Sequence, residues 1–584
     1  MSTESSSPGD PASNLKKPLF LILLLFLTIC TGKILLSVFI ISPQVFEDEL
    51  VYDALAQEIA SGALFFSSHP YPPGPFPPGY PLSVSLSYLL STGKYAAFQG
   101  ILVMNAIITS LIIFPAFFIL RRFVPAPVSV AGALLVSLLP SVSMHSFFIM
   151  SEALFIPLFL VSIWCIMNSF SRSSPSIWDL LTGTTLFLLF YTRAAGLSMI
   201  LAWILASGLF LFTEREETRW VLIKKMSFVA LPGAGLYGAW ITDQIWFKGA
   251  LPSGYSTHQY LSEGVRILLQ DPLHVLYVIL LHTDYILLSA FVIFPLLIPG
   301  MIRLLSADIQ STFSQGEGRN KATGDRRSPI IPLLVYVSVS AGFIFLFGIS
   351  HTIQPFFEYK LCGRYMDPII PVIVLAGIIG LENLVRQKCG RRFVLHSAGY
   401  LALLSILTGM VMLPFAHEPN NNLGLYYLYS FSTEYMVPLF ALLTGLILGG
   451  VIWFTIRIGK GTVITLLLIS LIVLTSSLPI FTFIAGTSAK TGSLLPFCQE
   501  LHDLDTSPGS FGWDRSEEEN VWDGMVYYTL KFWLGQAIQD VSPGTCQSPV
   551  RPEWMIQNMK GQNCRISSDD YCVIPVGVQS PLPP

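Results

Sequence analysis

Charge is what this sequence has least of. Asp, Glu, Lys and Arg make up only 12% of its 584 residues, whereas AVILMFWYC make up 52% and mean hydropathy is +0.62. An ordinary soluble globular chain of this length does not combine those values, so the bilayer is the solvent for most of the protein. The 33 Lys and Arg are balanced by 36 Asp and Glu, so there is no basic excess and no nucleic-acid partner is expected. Metal-binding spacings are missing as well: the 8 cysteines contain no C-x2-C and the 9 histidines no H-x3-H or H-E-x-x-H. No small-x-small cleavage site follows the first apolar run, whose length exceeds that of a signal peptide's apolar core. That run is expected to stay in the protein as an anchor.

What is present is a succession of apolar stretches. A spanning helix takes about 20 mostly apolar residues, and thirteen stretches qualify: roughly 18–42, 97–120, 125–145, 152–170, 177–192, 195–213, 226–243, 284–304, 329–349, 367–385, 393–415, 436–456 and 462–485. Positive charge resists transfer across the membrane, so the short loops rich in Lys and Arg lie inside. One set of alternate loops holds most of them, including Lys16, Lys17, Arg121, Arg122, Lys224, Lys225, Arg326, Arg327, Arg391 and Arg392. Up to residue 485 the opposite set holds only Lys94, Arg193, Lys248, Arg266, Lys360 and Arg364. The N-terminus is therefore expected in the cytoplasm and the C-terminus outside, in the plasma membrane of the cell.

This topology divides the chain into a disordered cytoplasmic tail (1–17), a transmembrane domain (18–487) and an extracytoplasmic C-terminal domain (488–584). The polar stretch 306–328 is expected to be a flexible inner linker. The outer loops 43–96 and 244–283 are too long to be mere connections, and long ordered loops tend to carry function. In the first, Val51, Leu55 and Ile59 recur at helical spacing and Gly62 closes the pattern, which predicts a short surface helix. Seven prolines from Pro70 to Pro81 then forbid helix and predict a stiff segment leading into a second short helix near 82–90. The second loop predicts a pair of interfacial helices before the eighth span. The tail mixes Trp513, Trp522, Trp533, Tyr527 and Tyr528 with a strand-like DYCVIP, which predicts a small α+β cap. Cys498, Cys546, Cys564 and Cys572 lie in this tail, outside the cell, where disulfides persist; two bridges are expected, in any of three pairings, with zinc as the competing reading.

Asp48 and Glu49 stand just past the first span, and Tyr52 and Asp53 follow one helical turn later. A carboxylate beside apolar lipid can act as a general base on an acceptor hydroxyl or amine; a solvated acidic turn favoured by the helix dipole is the plain alternative. Arg193 and Arg364 sit at predicted membrane boundaries on the outer side. A guanidinium there suits a phosphate, which it grips with two parallel hydrogen bonds, although snorkelling toward headgroups gives the same placement.

The pattern DE-x-x-Y, then a short helix, then PFPPGYPL resembles the first outer loop of the GT-C glycosyltransferases. The likeness is to the branch that holds protein O-mannosyltransferases and bacterial lipid A aminoarabinose transferases. VMNAIITSLIIFPAFFILRRF, FIMSEALF, FYTRAAGL and GRYMDPIIPVIVLAG extend the resemblance, in order, from residue 18 to about 385. It implies an all-α polytopic membrane fold of the GT-C type, with about 13 transmembrane helices beside the α+β cap. It also implies transfer of a sugar from a polyprenyl-phosphate carrier, dolichyl- or undecaprenyl-phosphate, usually with inversion, to a protein, lipid or glycan acceptor. By the same resemblance Asp48 is the catalytic base, Glu49 positions the acceptor or a metal, and Glu152 is a second acidic site that orients the donor or, with Glu49, holds a divalent cation such as Mg or Mn. Arg193, Arg364, Tyr365 and Lys360 are then the candidate donor-phosphate ligands, with Tyr52, Asp53 and Tyr80 in support. A transporter or flippase of lipid-linked saccharides is the rival reading. Charges in mid-span and Gly- or Pro-broken helices would favour it, but here the spans are nearly charge-free and the polar chemistry gathers in the outer loops.

Overall fold

The computed structural model describes residues 13–44, 47–62, 77–172, 174–213, 216–242, 266–267, 269–313, 330–353, 361–388, 390–407, 437–504, 507, 510–513, 521–535, 538–540, 554–558, 566–567 and 571–575. The chain is a multi-pass bundle of apolar helices. α1 (Ser13–Ser37) holds Lys33 but no acidic residue, and only 17% of its apolar window is buried inside the protein, so most of its surface is left to lipid. α2 (Glu47–Ala60) and α3 (Gly79–Leu90) form the two short helices expected of the first loop, and Gly62, at φ +84°, ends the first of them. The proline run from Pro70 to Pro75 lies outside the described residues.

α4 (Lys94–Ser110) and α5 (Ile113–Arg121) continue one another as a single 28-residue apolar span. α6 (Ala126–Leu138) does not run on as expected to residue 145. Leu139 is extended (φ −52°, ψ 132°) before Pro140, because a proline's ring disfavours helical geometry in the residue ahead of it. The short helix α7 (Pro140–Ser143) and the 3-10 turn Met144–Phe147 therefore leave at 63° to α6. That bend lays residues 144–152 beneath the helix carrying Asp48, ahead of α8 (Glu152–Phe170). α9 (Ile177–Thr192) and α10 (Gly196–Thr213) follow as expected, whereas α11 (Glu216–Thr242) begins ten residues ahead of the expected 226.

The eighth span is cut differently from the sequence expectation. Asp271 accepts the amide of His274 and Pro272 opens the helix, so α12 runs Pro272–Ser289 with span-like hydropathy, where a surface helix pair was expected. A 3-10 stretch, Phe291–Leu296, holds Pro295 and interrupts the predicted span 284–304 before α13 (Leu297–Phe313). α14 (Ile330–Thr352), α15 (Ile369–Gln387), α16 (Gly390–Leu407), α17 (Val437–Ile458) and α18 (Thr462–Gly492) complete the bundle. α15 is its most enclosed span, with 78% of the apolar window buried. It packs on α13 and on the 3-10 stretch ahead of it at backbone distance: a methyl group at Gly380 would lie 2.1 Å from the Leu296 carbonyl oxygen, and one at Gly300 2.1 Å from that of Ala376. Small residues let transmembrane helices approach this closely. Gly380→Val is expected to cost about 1–3 kcal/mol by overpacking, read as a lower unfolding temperature in detergent.

The stretch after α1 is sewn to α18: the Ser42 amide donates to Ser488 Oγ at 2.9 Å, and Gln44 Nε2 to the Ile484 carbonyl at 3.0 Å. Beyond α18 come α19 (Leu495–Leu504), α20 (Val521–Leu534) and a mixed five-stranded sheet of order β2-β1-β3-β5-β4. Its strands are β1 (Phe511–Trp513), β2 (Ile538–Asp540), β3 (Trp554–Asn558), β4 (Ile566–Ser567) and β5 (Tyr571–Pro575), with β1 parallel to β2 and β3, and β5 antiparallel to β3 and β4. Phe497, Leu501, Phe511, Trp513, Tyr527 and Leu530 form a separate apolar core there.

Cys498 corrects the disulfide expectation. Its side chain is buried in that core and its thiol is unbridged. Cys546 and Cys564, and the side chain of Cys572, lie outside what is described.

Candidate active site

α2 enters the site with its first turn. Asp48 Oδ2 accepts from Arg364 Nη2 at 2.7 Å, across 316 residues of sequence, and both side chains are largely enclosed. One turn later the Tyr52 hydroxyl donates to Ser151 Oγ at 2.9 Å. Glu49 leaves the helix on another side, where its Oε1 accepts the Ile149 amide at 2.9 Å. The bend at Pro140 makes this possible, because it turns the amides of residues just ahead of α8 toward α2.

Glu152 is 1% exposed and is ion-paired with Arg193, which sits at the end of α9. Ser151 does not cap α8 with its side chain; it donates at 3.4 Å to Glu152 Oε2 and so relays Tyr52 to that carboxylate. The two guanidiniums meet over one ring: Arg193 and Arg364 lie 5.3 and 5.4 Å from the centroid of Tyr365. The Tyr365 hydroxyl shares a 2.9 Å hydrogen bond with His351 Nε2, which fixes the ring's plane.

Two like charges are tolerated this close because each is matched. Burial works against the charge on Arg193, but the Glu152 carboxylate and the Tyr52 and Tyr365 rings outweigh it, and its pKa rises. Arg364 is likewise opposed by burial, and Asp48 with Tyr365 and Glu152 holds its pKa well above the ordinary guanidinium value. Burial pushes the Tyr365 hydroxyl up to about 12 despite both arginines, so it stays protonated at neutral pH.

Not every residue singled out in the sequence comes here. Asp53 faces away: Lys94 Nζ lies 3.4 Å from its Oδ2, and Tyr88 donates to Oδ1. Burial raises the pKa of Asp53, with Lys94 and Tyr88 opposing the rise. Tyr80 stands behind Tyr52, edge to face at 5.2 Å, and receives the Asn105 amide at 2.9 Å. Lys360 lies outside the described residues. Glu49 and Glu152 each hold another partner here, a backbone amide and a guanidinium, and among the described residues no three His, Cys, Asp or Glu side chains gather. Ser151 and His351 contribute contacts that spacing alone did not foretell, since each acts on a residue named above rather than on an open face.

No protein-family model matches the sequence, and no curated protein matches it. Among solved structures the chain is similar to ArnT from Cupriavidus metallidurans bound to undecaprenyl phosphate. The TM-score is 0.53 at 13% identity, over 94% of this chain and 97% of that one. The same protein in the apo state superposes with a TM-score of 0.47 at 13% identity, over 89% and 85%. The first of these likenesses shows that this multi-pass membrane protein shares the fold of that structure along most of its length.

Proposed function

We propose that the protein is a glycosyltransferase that moves a sugar from a polyprenyl-phosphate carrier, dolichyl- or undecaprenyl-phosphate, to an acceptor at the outer membrane face, with inversion and with Asp48 as general base. The observation that carries this reading is the pair of guanidiniums converging on Tyr365, each closed on a carboxylate. A similar structure being bound to undecaprenyl phosphate supports the choice of carrier.

The chemistry follows from competition for the arginines. A carboxylate held by a guanidinium is a weak base, because protonation would break the pair. A carrier phosphate entering the site takes up Arg364 and Arg193 with charge-assisted hydrogen bonds and releases Asp48 toward the acceptor. Asp48 then removes the acceptor's O–H or N–H proton as that atom forms its bond to the anomeric carbon. The bond from that carbon to the phosphate oxygen breaks on the opposite face. Its electron pair stays on the phosphate, where the two arginines neutralise the developing charge.

Guanidiniums already fill the cation positions beside Asp48 and Glu152, so transfer is expected to proceed unchanged in EDTA. Loss on chelation with recovery on adding Mg or Mn would favour a cation instead. The reading itself is tested by incubating the purified full chain with a panel of labelled polyprenyl-phosphate sugars, hexoses and pentoses alike. Turnover of at least one donor is expected, and failure with every donor would remove the proposal.

A further inference from the structure

Behind Arg364 lies a second polar cluster that the proposed chemistry does not use. Asp367, fully buried at the mouth of α15, accepts from the Tyr285 hydroxyl at 2.6 Å on one oxygen and from His145 Nε2 at 2.9 Å on the other. These partners come from α12 and from the 3-10 turn that follows the Pro140 bend. Burial raises the Asp367 pKa, and His145 and Tyr285 both pull it back.

The cluster is tied to the site at both ends. The Asp367 amide donates to the Arg364 carbonyl at 3.3 Å and the Met366 amide to Gly363 at 2.7 Å, so the carboxylate is anchored to the same tight turn that presents Arg364 and Tyr365. Tyr285 also holds the front of that turn: a methyl group at Gly363 would lie 2.1 Å from its ring, so only glycine fits the face. On the other side, His145 precedes by a few residues the Ile149 amide that holds Glu49, the Ser151 hydroxyl that holds Tyr52, and Glu152 itself. Asp367 thus joins the arginine-bearing turn directly to the acid-bearing segment.

We infer that Asp367, His145 and Tyr285 form a buried brace that sets the spacing between Arg364 and the Asp48 and Glu152 carboxylates, and act as positioning residues for the carrier phosphate. The inference rests on reading Arg364 as a phosphate ligand. Groups held in register by a buried carboxylate lose that register when one arm is cut, and small displacements at a binding site carry large consequences.

Tyr285→Phe removes one hydroxyl and keeps the ring against Gly363; Asp367→Asn keeps the shape and loses the charge. Each full-length variant in detergent is expected to bind undecaprenyl phosphate about ten-fold more weakly and to raise the donor KM by a similar factor, with kcat changed less than about three-fold. Backbone amides of 144–149 and 363–367 should exchange hydrogen for deuterium faster, while those of α18 do not. The double variant should be no worse than the poorer single, because both changes cut one connection. If Asp367→Asn fails to accumulate, Tyr285→Phe carries the test alone. Unchanged exchange in both segments overturns the brace, and faster exchange with unchanged affinity overturns its positioning role. If the native chain binds neither undecaprenyl nor dolichyl phosphate, the functional reading fails, and the positioning role with it, while the exchange result still decides whether the brace exists.

Discussion

Asp48→Asn is expected to lower sugar transfer at least about a thousand-fold, within the range that a positioned general base supplies, while carrier binding holds or tightens. The two effects have opposite signs for one reason. Asp48 is the partner of Arg364, at 2.7 Å, so on the proposed reading it competes with the carrier phosphate for that guanidinium. Asparagine keeps the size of the side chain but carries no charge, and therefore withdraws the competition. It also cannot take the acceptor's proton. A residue that only held Arg364 in place would behave otherwise, and its loss would weaken binding and leave turnover of bound donor nearly intact. Rapid-mixing turnover at saturating donor, together with equilibrium binding of the carrier, separates the two outcomes.

Arg193→Met is expected to cost about 3–5 kcal/mol of stability, the scale for removing one partner of a buried ion pair. Glu152 is 1% exposed, and no water shell replaces the lost guanidinium. Adding Glu152→Gln to that variant should recover most of the stability, since the stranded charge disappears. Transfer should not recover, because the phosphate still lacks one of its two cations. Thermal unfolding in detergent measures the first effect and donor turnover the second. If the double variant regained both, Arg193 would be a structural counter-charge to Glu152 and nothing more.

Much of this site could be read from residue types and their places along the chain. Asp48, Glu152, Arg193 and Arg364 are charged residues at the ends of apolar runs, and the alternation of loops puts them on one side of the membrane. Which carboxylate meets which arginine was not legible, because pairing across 316 residues is decided by helix packing rather than by any local signal. Helical spacing put Glu49 and Asp53 on one face, yet that face is broad enough to divide: Glu49 reaches the Ile149 amide and Asp53 turns to Lys94. The expected eighth span starts too late because the apolar residues after Asp284 run on without a charge until Arg303, whereas the true helix start is written in two residues, the Asp271 cap and Pro272. Asp367 is hidden in the sequence for the opposite reason. Between Tyr365 and Pro368 it reads as a turn residue, and only the packing of α12 and the Pro140 bend around it gives it two partners. The tail's strands are two to five residues long and cross over in the sheet, too short for alternation to betray order or register.

The proposed exchange has Arg193 and Arg364 receive a carrier phosphate in place of the carboxylates they hold. Its most direct test is an equilibrium titration of undecaprenyl phosphate into the native chain, Arg364→Met, and the stability-matched double variant Arg193→Met/Glu152→Gln. Saturable binding by the native chain, weakened at least about ten-fold in each variant as expected for a lost charge-assisted contact, is the predicted result. Equal affinity across all three proteins would contradict it.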